Sequence, residues 1–160
     1  MTTNSLPLTN SIFTSIDTSA SGLTAQRLRM DVIAGNIANV DTTRTPEGGP
    51  FKRQLVVFAS KTDLTFRKFP FLPMKLKTQM GTPGDGVKVL EIMKDPSPPR
   101  LKFDPGHPDA NSEGYVAYPN IDVIKEMVDM ISASRAYEAN ITSINAAKGM
   151  AMKALAIGKA

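Results

Sequence analysis

The sequence contains no cysteine and a single histidine among its 160 residues. Without cysteine, disulfide bonds and thiolate metal sites are excluded, and the chain can pass between reducing and oxidising compartments without redox chemistry. It has no run of about 18 apolar residues, so we expect no direct membrane insertion. With 19 basic against 15 acidic residues, the sequence also lacks the strong positive charge typical of nucleic-acid-binding proteins, and we expect no nucleic-acid partner.

The N-terminal residues 1–10 lack the features of a cleaved secretory signal peptide. They carry no basic residue and no continuous apolar core. We expect a short disordered polar tail at this position. A soluble cytoplasmic protein is the default class for such a start.

The single histidine, His107, lies close in sequence to Asp104, Asp109 and Glu113. Closed transition-metal sites usually draw on several His or Cys ligands, and a hydrolytic triad needs a nucleophile beside its base. We therefore interpret His107 as a turn residue whose ring bonds backbone or packs beside the prolines. The sequence predicts no enzyme, no metal and no cofactor, and an enzyme centred on His107 is the weakest alternative.

The most regular pattern runs from Asn120 to Ile157 and predicts one long helix. Its apolar residues recur at alternating spacings of three and four, which is typical of a coiled-coil seam. Pro119 and Asn120 precede the helix, and we expect Asn120 to be its N-cap. A second apolar row covers only the first half and consists of Ile121, Ile124, Val128 and Ile131. This pattern favours a helix that leaves one intramolecular neighbour and meets other chains.

A second helix is predicted from about Ser11 to Asn39. One row has strict seven-residue spacing and consists of Ile16, Leu23, Met30 and Ile37. Its companion row is interrupted by Ser19 and Gln26, and glycines lower the helix propensity, so this helix depends on packing against partners. The natural partner is the C-terminal helix, which predicts a discontinuous, coiled-coil-like helical domain formed by residues 11–41 and 120–158.

The middle of the chain, residues 42–119, has a different character because eleven of the 12 prolines lie there. Long helices are excluded, and four short segments alternate as strands do: Phe51–Ala59, Gly86–Met93, Arg100–Phe103 and Tyr115–Tyr118. We predict a mostly α protein with a small, Pro-rich β insertion. The insertion has too little apolar area to be stable without the helices or neighbouring subunits.

Within the insertion, Thr65–Lys77 combines four basic residues with three phenylalanines and has no acidic residue. Basic and aromatic side chains together could bind single-stranded nucleic acid. Pro70 and Pro73 instead indicate a loop, and the mild charge elsewhere does not extend the basic patch. We interpret this stretch as a loop that is solvated or faces a partner.

Several strings of residues are far less common than a heptad pattern. They are Asn-Ile-Ala-Asn at 36–39, Asn-Ile-Asp at 120–122 followed by Glu-Met-Val at 126–128, and Ser-Arg-Ala-Tyr-Glu-Ala-Asn at 134–140. Together they resemble the signatures of the bacterial flagellar basal-body rod and hook family. Two further strings, Arg44–Phe51 and Phe103–Val116, are similar to the proximal rod members of that family in particular.

The resemblance implies a structural subunit of the proximal rod that polymerises through its terminal helices as part of the drive shaft. It implies as partners the other proximal and distal rod proteins, copies of the chain itself, the basal-body ring and the rod cap. It also implies location in the flagellar basal body, in the rod that spans the periplasm, after type III export from the cytoplasm without a cleaved signal peptide. The alternative is a free-standing coiled-coil adaptor that binds one helical partner.

The residues predicted to form the assembly interface combine the two seams with the polar residues of the signature strings, which we expect to fix register. They are Ile16, Leu23, Met30, Asn36, Ile37, Asn39, Val123, Met127, Met130, Arg135, Tyr137, Glu138, Asn140, Ile141, Ile144 and Leu155. Arg135 and Glu138 are also spaced to pair along the helix surface.

Overall fold

The computed structural model describes residues 8–61 and 86–158, with side chains described from Phe13 onward in the first helix. Most of the tail predicted for residues 1–10, and the basic stretch Thr65–Lys77, lie outside the described residues. Two long helices flank a small β region in the described part of the chain. The prediction of a mostly α protein with a β insertion is confirmed at this level.

The helices are α1, Leu8–Ala38, and α2, Val123–Ile157. Asp122, rather than Asn120, caps α2, because its Oδ1 atom accepts hydrogen bonds from the backbone amides of Ile124 at 3.0 Å and Lys125 at 3.4 Å. The predicted N-cap was therefore wrong by two residues. Ile121 is fully buried between the two candidate caps, and it anchors the chain so that the helix starts after it. Neither described helix is apolar enough over its length to cross a membrane.

Within residues 8–61 and 86–158, four strands form two separate pairs. The strands β1, Gln54–Ser60, and β2, Val87–Lys94, make one two-stranded sheet, and β3, Arg100–Phe103, and β4, Tyr115–Tyr118, make the other. The second pair is antiparallel, with Arg100 opposite Tyr118 and Phe103 opposite Tyr115. All four segments were predicted as strands, although β1 begins three residues later than expected.

The chain divides into two compact units. Described residues of the first unit come from α1 up to Ala25, from 58–61 and 86–88, and from α2 beginning at Tyr137. The second unit contains 26–57 and 89–136. Buried apolar side chains concentrate in the second unit at Val32, Ile33, Val116, Ile121 and Ala133, whereas in the first unit they are Ala25 and Ala147. Among the described residues, the second unit therefore holds most of the buried apolar side chains.

Small and polar residues join the two helices in the first unit. The Ser19 hydroxyl donates to the Ser143 hydroxyl at 3.3 Å, and a Cβ added at Gly22 would lie 2.9 Å from Nδ2 of Asn140. As residue numbers rise along α1 they fall along α2, so the helices are antiparallel here. Gly22, a residue of low helix propensity, is explained by this close approach.

Ser21 fastens the start of β2 to α1. Its hydroxyl accepts a hydrogen bond from the Val87 backbone amide at 2.9 Å and donates to the Thr18 carbonyl at 2.7 Å. Gly86, just before this strand, has φ of +88° and lies so close that an added Cβ would collide with the Ser21 hydroxyl. The position therefore requires glycine for two independent reasons.

We expect Gly86→Ala to detach the start of β2 from α1. Alanine at positive φ costs about 1–2 kcal/mol, and the collision with Ser21 adds to that. Gly49→Ala is the matched control, because Gly49 has φ of +77° but nothing within 4 Å of an added Cβ. Amide hydrogen exchange at Val87 should accelerate in the first variant and stay unchanged in the second. Equal exchange rates in both variants would contradict the role of Ser21.

Candidate assembly interface

In the second unit, a cluster of polar side chains joins the end of α1, the start of β1 and the first turn of α2. It consists of Asn36 at the end of α1, Arg53 just before β1, and Glu126 in the first turn of α2, and we call it the polar node. Asn36 and Glu126 are each only 1% exposed. Buried polar groups are stable only when their hydrogen bonds are satisfied, so the geometry of the polar node decides whether it supports the fold.

The Asn36 side chain binds the backbone of Gln54 as a neighbouring strand would. Its Oδ1 atom accepts from the Gln54 amide at 2.9 Å, and its Nδ2 atom donates to the Gln54 carbonyl at 2.9 Å. The same Nδ2 atom donates to Oε2 of Glu126 at 3.0 Å. One amide group therefore ties the end of α1 to the start of β1 and to α2.

Glu126 is neutralised by Arg53. The Nε and Nη2 atoms of Arg53 both lie 2.6 Å from Oε1 of Glu126, while Asn36 occupies the other carboxylate oxygen. A carboxylate in the first turn of a helix is also favoured by the helix dipole. The burial of this charge is therefore compensated by one cation, one amide and the helix itself.

Further charges surround Arg53. Oδ2 of Asp129 lies 3.8 Å and Oδ2 of Asp95 lies 4.0 Å from its guanidinium nitrogens, and Asp129 also pairs with Arg29 of α1 at 3.1 Å. Hydrogen bonds from the side chain and backbone of Ser97 lower the pKa of the Asp95 carboxyl below its ordinary value, and Arg53 contributes to this shift. The acidic groups therefore serve in ion pairs rather than as free acid–base groups.

The opposite side of α2 is an exposed apolar stripe. We call Ile124, Met127, Val128 and Ile131 the α2 stripe; among them, Ile124 is 76%, Val128 62% and Ile131 53% exposed. With 3.6 residues per turn, these side chains point away from the buried face that carries Glu126 and Ala133. The α2 stripe therefore belongs to neither the core nor the polar node.

The predicted interface residues fall into three classes of solvent exposure. Asn36 is buried in the polar node, and the half-buried residues are Ile16, Leu23, Met30, Ile37, Asn39, Met130, Tyr137, Asn140 and Ile144. The exposed ones are Val123, Met127, Arg135, Glu138, Ile141 and Leu155. Among the described residues, no salt bridge joins Arg135 to Glu138, although both are exposed.

His107 serves the turn between β3 and β4. Its Nδ1 atom accepts a hydrogen bond from the Asp109 backbone amide at 3.1 Å, and its ring lies edge-on to Tyr118 with centroids 6.4 Å apart. This confirms the prediction that the ring bonds backbone. No three His, Asp or Glu side chains in the described ranges are close enough together to hold a metal ion.

Two protein-family models match this chain, one over most of α1 and the other over α2. A family model for the flagella basal body rod protein matches residues 16–44, and the model for the C-terminal region of the flagellar basal body rod FlgEFG protein matches residues 112–157. A protein named flagellar basal-body rod protein FlgC in Borreliella burgdorferi is 54% identical over 150 residues, covering 91% of this chain and 97% of that relative. The chain belongs to the flagellar basal-body rod family.

Other relatives extend the similarity across distant bacteria. The proteins named flagellar basal-body rod protein FlgC in Bacillus subtilis and Yersinia enterocolitica are 50% and 39% identical, over 92% and 93% of this chain and 98% and 99% of the relatives. The family resemblance predicted from the signature strings, including the closer similarity to its proximal rod members, is confirmed. Membership also confirms the predicted function as a structural subunit of the flagellar rod.

The two matched segments of this rod protein supply different parts of the polar node. Asn36 lies in the first segment and Glu126 in the second, whereas Arg53 lies between them. Sequence reasoning quoted Asn36 and Glu126 as parts of signature strings but missed Arg53. The available signal was an acidic residue on the otherwise apolar buried side of a helix, which requires a cation somewhere in the fold.

Proposed function

We propose that this rod protein polymerises into the proximal rod of the drive shaft through α1 and α2, packed as coiled-coil-like helices. The observation that carries the proposal is the α2 stripe, four large apolar side chains that the subunit leaves exposed on one helix face. Burying one such side chain contributes about 1.5–3 kcal/mol. An apolar surface of this kind on a soluble subunit marks an interaction site.

The contact between subunits is heterologous in this proposal. The α2 stripe of one subunit packs against a different surface of the next, so the contacts generate rings or a helix rather than a closed dimer. The predicted interface residues on both helices take part, with Asn36 acting from within by holding α2 in place. Residues 11–41 and 120–158 then form the helical domain, and residues 42–119 face outward or onto adjacent subunits.

Folding is completed on the growing rod. In the part of the first unit that the structure describes, the buried apolar side chains are only Ala25 and Ala147. We therefore expect its helical segments to open readily in the isolated subunit and to order when neighbours cover them. A subunit that is only partly folded is also suited to export from the cytoplasm without a cleaved signal peptide. The rod then spans the periplasm as part of the basal body.

Family membership supports the partners that we propose. They are other proximal and distal rod proteins, further copies of this chain, the basal-body ring and the rod cap. The subunit catalyses no reaction and needs no cofactor in this proposal, since its buried acidic group is committed to Arg53 and Asn36. We propose neither nucleic acid nor a membrane as a partner.

Ile131→Glu tests the proposal when it is the only copy in a flagellated bacterium. Loss of an apolar contact and burial of an unpaired carboxylate should weaken subunit addition by more than about tenfold, because each 1.4 kcal/mol is a factor of ten. We expect basal bodies without complete rods in electron micrographs and loss of swimming in soft agar. Glutamate is a good helix former, so the helix itself is preserved.

Ser132→Glu is the matched control, since Ser132 is exposed, adjacent, and about 100° further round α2. Immunoblots should show equal amounts of both variants. Normal rods in the Ile131→Glu strain would refute polymerisation through the α2 stripe. If the purified wild-type chain instead forms a small complex of fixed stoichiometry with one helical partner, the adaptor alternative is correct.

A further inference from the structure

Among the described strands, only β3 has no side chain hydrogen-bonded along its outer edge. The covering contacts on the other strands join Asn36 to Gln54 of β1, Ser21 to Val87 of β2, and Asn111 to Tyr115 of β4. Asn111 covers both groups of Tyr115, since its Oδ1 atom accepts from the Tyr115 amide at 2.8 Å and its own amide donates to the Tyr115 carbonyl at 2.9 Å. All four residues of β3, in contrast, are exposed.

The register of the hairpin shows which backbone groups of β3 are unpaired. The Asp104 amide donates to the Gly114 carbonyl at 2.9 Å. Hydrogen-bonded and non-hydrogen-bonded pairs alternate along an antiparallel ladder, so the backbone groups of Leu101 and Phe103 point away from β4. No residue that the structure describes bonds to these outward groups. Such a row of unpaired groups is a template for an additional strand.

The side chains of β3 alternate between apolar and basic. Leu101 and Phe103 share one face and are 66% and 62% exposed, whereas Arg100 and Lys102 lie on the other face. In antiparallel registers that pair Leu101 with an outward residue of a second β3, Lys102 lies opposite Arg100 or Lys102 of that copy. Like charges directly opposite each other destabilise a sheet, so a second copy of β3 is a poor partner. A matching strand has acidic residues at these positions and apolar residues between them.

Protection against aggregation accounts for only half of the β3 side chains. Basic residues on a short edge strand discourage unwanted pairing, which explains Arg100 and Lys102 but not the large apolar side chains beside them. The Phe103 ring is also fixed in place. An added Cβ at Gly114 would lie 2.9 Å from its Cε2 atom, and it meets the Tyr115 ring edge-on with centroids 5.3 Å apart. A side chain that is already ordered loses little conformational entropy on binding.

We propose that the outer edge of β3 accepts an extended segment of another protein, in which acidic and apolar residues alternate, as an added antiparallel strand. The backbones of Leu101 and Phe103 supply the main-chain hydrogen bonds, and the side chains of Arg100 and Lys102 select the acidic residues. This contact uses no residue of the α2 stripe and goes beyond the proposed polymerisation.

A blocked heptapeptide that alternates valine and glutamate between terminal threonines tests the proposal by NMR on the full-length purified chain. We expect it to bind about tenfold more tightly than the same peptide with lysine in place of glutamate, because its charges oppose Arg100 and Lys102. At about ten times its Kd, it should slow amide exchange at Leu101 and Phe103 by about tenfold. Ile131→Glu should change neither result, so failure here is distinguishable from failure of polymerisation through the α2 stripe.

Two pairs of variants identify the groups involved. Arg100→Glu/Lys102→Glu should reverse the preference, so that the lysine peptide binds more tightly. Lys52→Glu/Lys148→Glu makes the same change in net charge at exposed positions and should leave the preference as it is. Leu101→Thr retains the outward amide and should still bind, whereas Leu101→Pro removes that amide and should not.

Several outcomes would overturn the proposal. They are equal affinity for the two peptides, failure of both to bind, slowed exchange away from β3, and an unchanged preference in Arg100→Glu/Lys102→Glu. If Leu101→Pro opens the hairpin, the amide of Val116 on β4 will exchange faster, and the charge-reversal variant then decides the matter alone.

Discussion

Replacing Arg53 by Met is expected to lower the free energy of unfolding of the second unit by about 3–5 kcal/mol, since it leaves the buried Glu126 carboxylate without its cation. Methionine retains most of the apolar stem, so the loss reports the charge and not the packing. Domains of this size have about 5–15 kcal/mol of stability, so the variant should be partly unfolded at 37 °C. Urea titration followed by amide exchange in the first turns of α2 measures the change.

Two further variants make this prediction specific. Lys52→Met removes a neighbouring but exposed cation and should change the stability by less than about 0.5 kcal/mol. The double variant Arg53→Met/Glu126→Met removes both members of the buried pair and should recover much of the loss, because an apolar pair can replace a buried ion pair. A double variant less stable than Arg53→Met alone would contradict the polar node as the source of the effect.

Asn36→Asp should destabilise the second unit by a similar amount, about 3–5 kcal/mol at neutral pH. The new carboxylate oxygen would replace Nδ2, which lies 3.0 Å from Oε2 of Glu126 and 2.9 Å from the Gln54 carbonyl. Two hydrogen bonds are lost, and two like charges are buried together. Asn36→Ala, which loses the hydrogen bonds without adding charge, should be less destabilising than Asn36→Asp.

The pH dependence of stability distinguishes repulsion between the two buried carboxylates from a simple loss of hydrogen bonds. A carboxyl pair that binds a proton more tightly in the folded than in the unfolded state gains stability as pH falls. The loss of unfolding free energy caused by Asn36→Asp, relative to wild type, should therefore become smaller as the pH falls from 7 to 5. The loss caused by Asn36→Ala should not change over this range. Asn39→Asp is the control: its side chain bonds the Gly35 carbonyl within α1 at 2.9 Å, and its loss should cost about 1 kcal/mol.

Local pattern predicted the elements of the fold well. Periodicities of 3.6 and 2 report which faces are buried, so both helices and all four strands were located from their apolar spacing. The start of α2 was misplaced because two residues, Asn120 and Asp122, can both cap a helix. The choice between them depends on the burial of Ile121, which is a tertiary effect.

The residues of the candidate interface were harder to predict from local sequence patterns. The strict apolar row of α1 suggested a seam through Leu23 and Met30, yet both are half-buried. The deepest burial on α1 falls on Asn36, Ala25 and Ile33. The partnership of Arg53 with Glu126 joins positions far apart in the chain, and no local period encodes it. The roles of the predicted interface residues in assembly stay predictions until the stripe variants are measured.

The pairing of Asn36 with Gln54 also protects an open strand edge. The Arg53 carbonyl accepts from the Asp95 amide, so the neighbouring Gln54 groups project to the other side of the strand, where the described residues provide no further strand to bind. Unpaired edges recruit strands of other chains and promote aggregation. By filling this position with the Asn36 amide, α1 closes the sheet edge at Gln54 to strands of other chains.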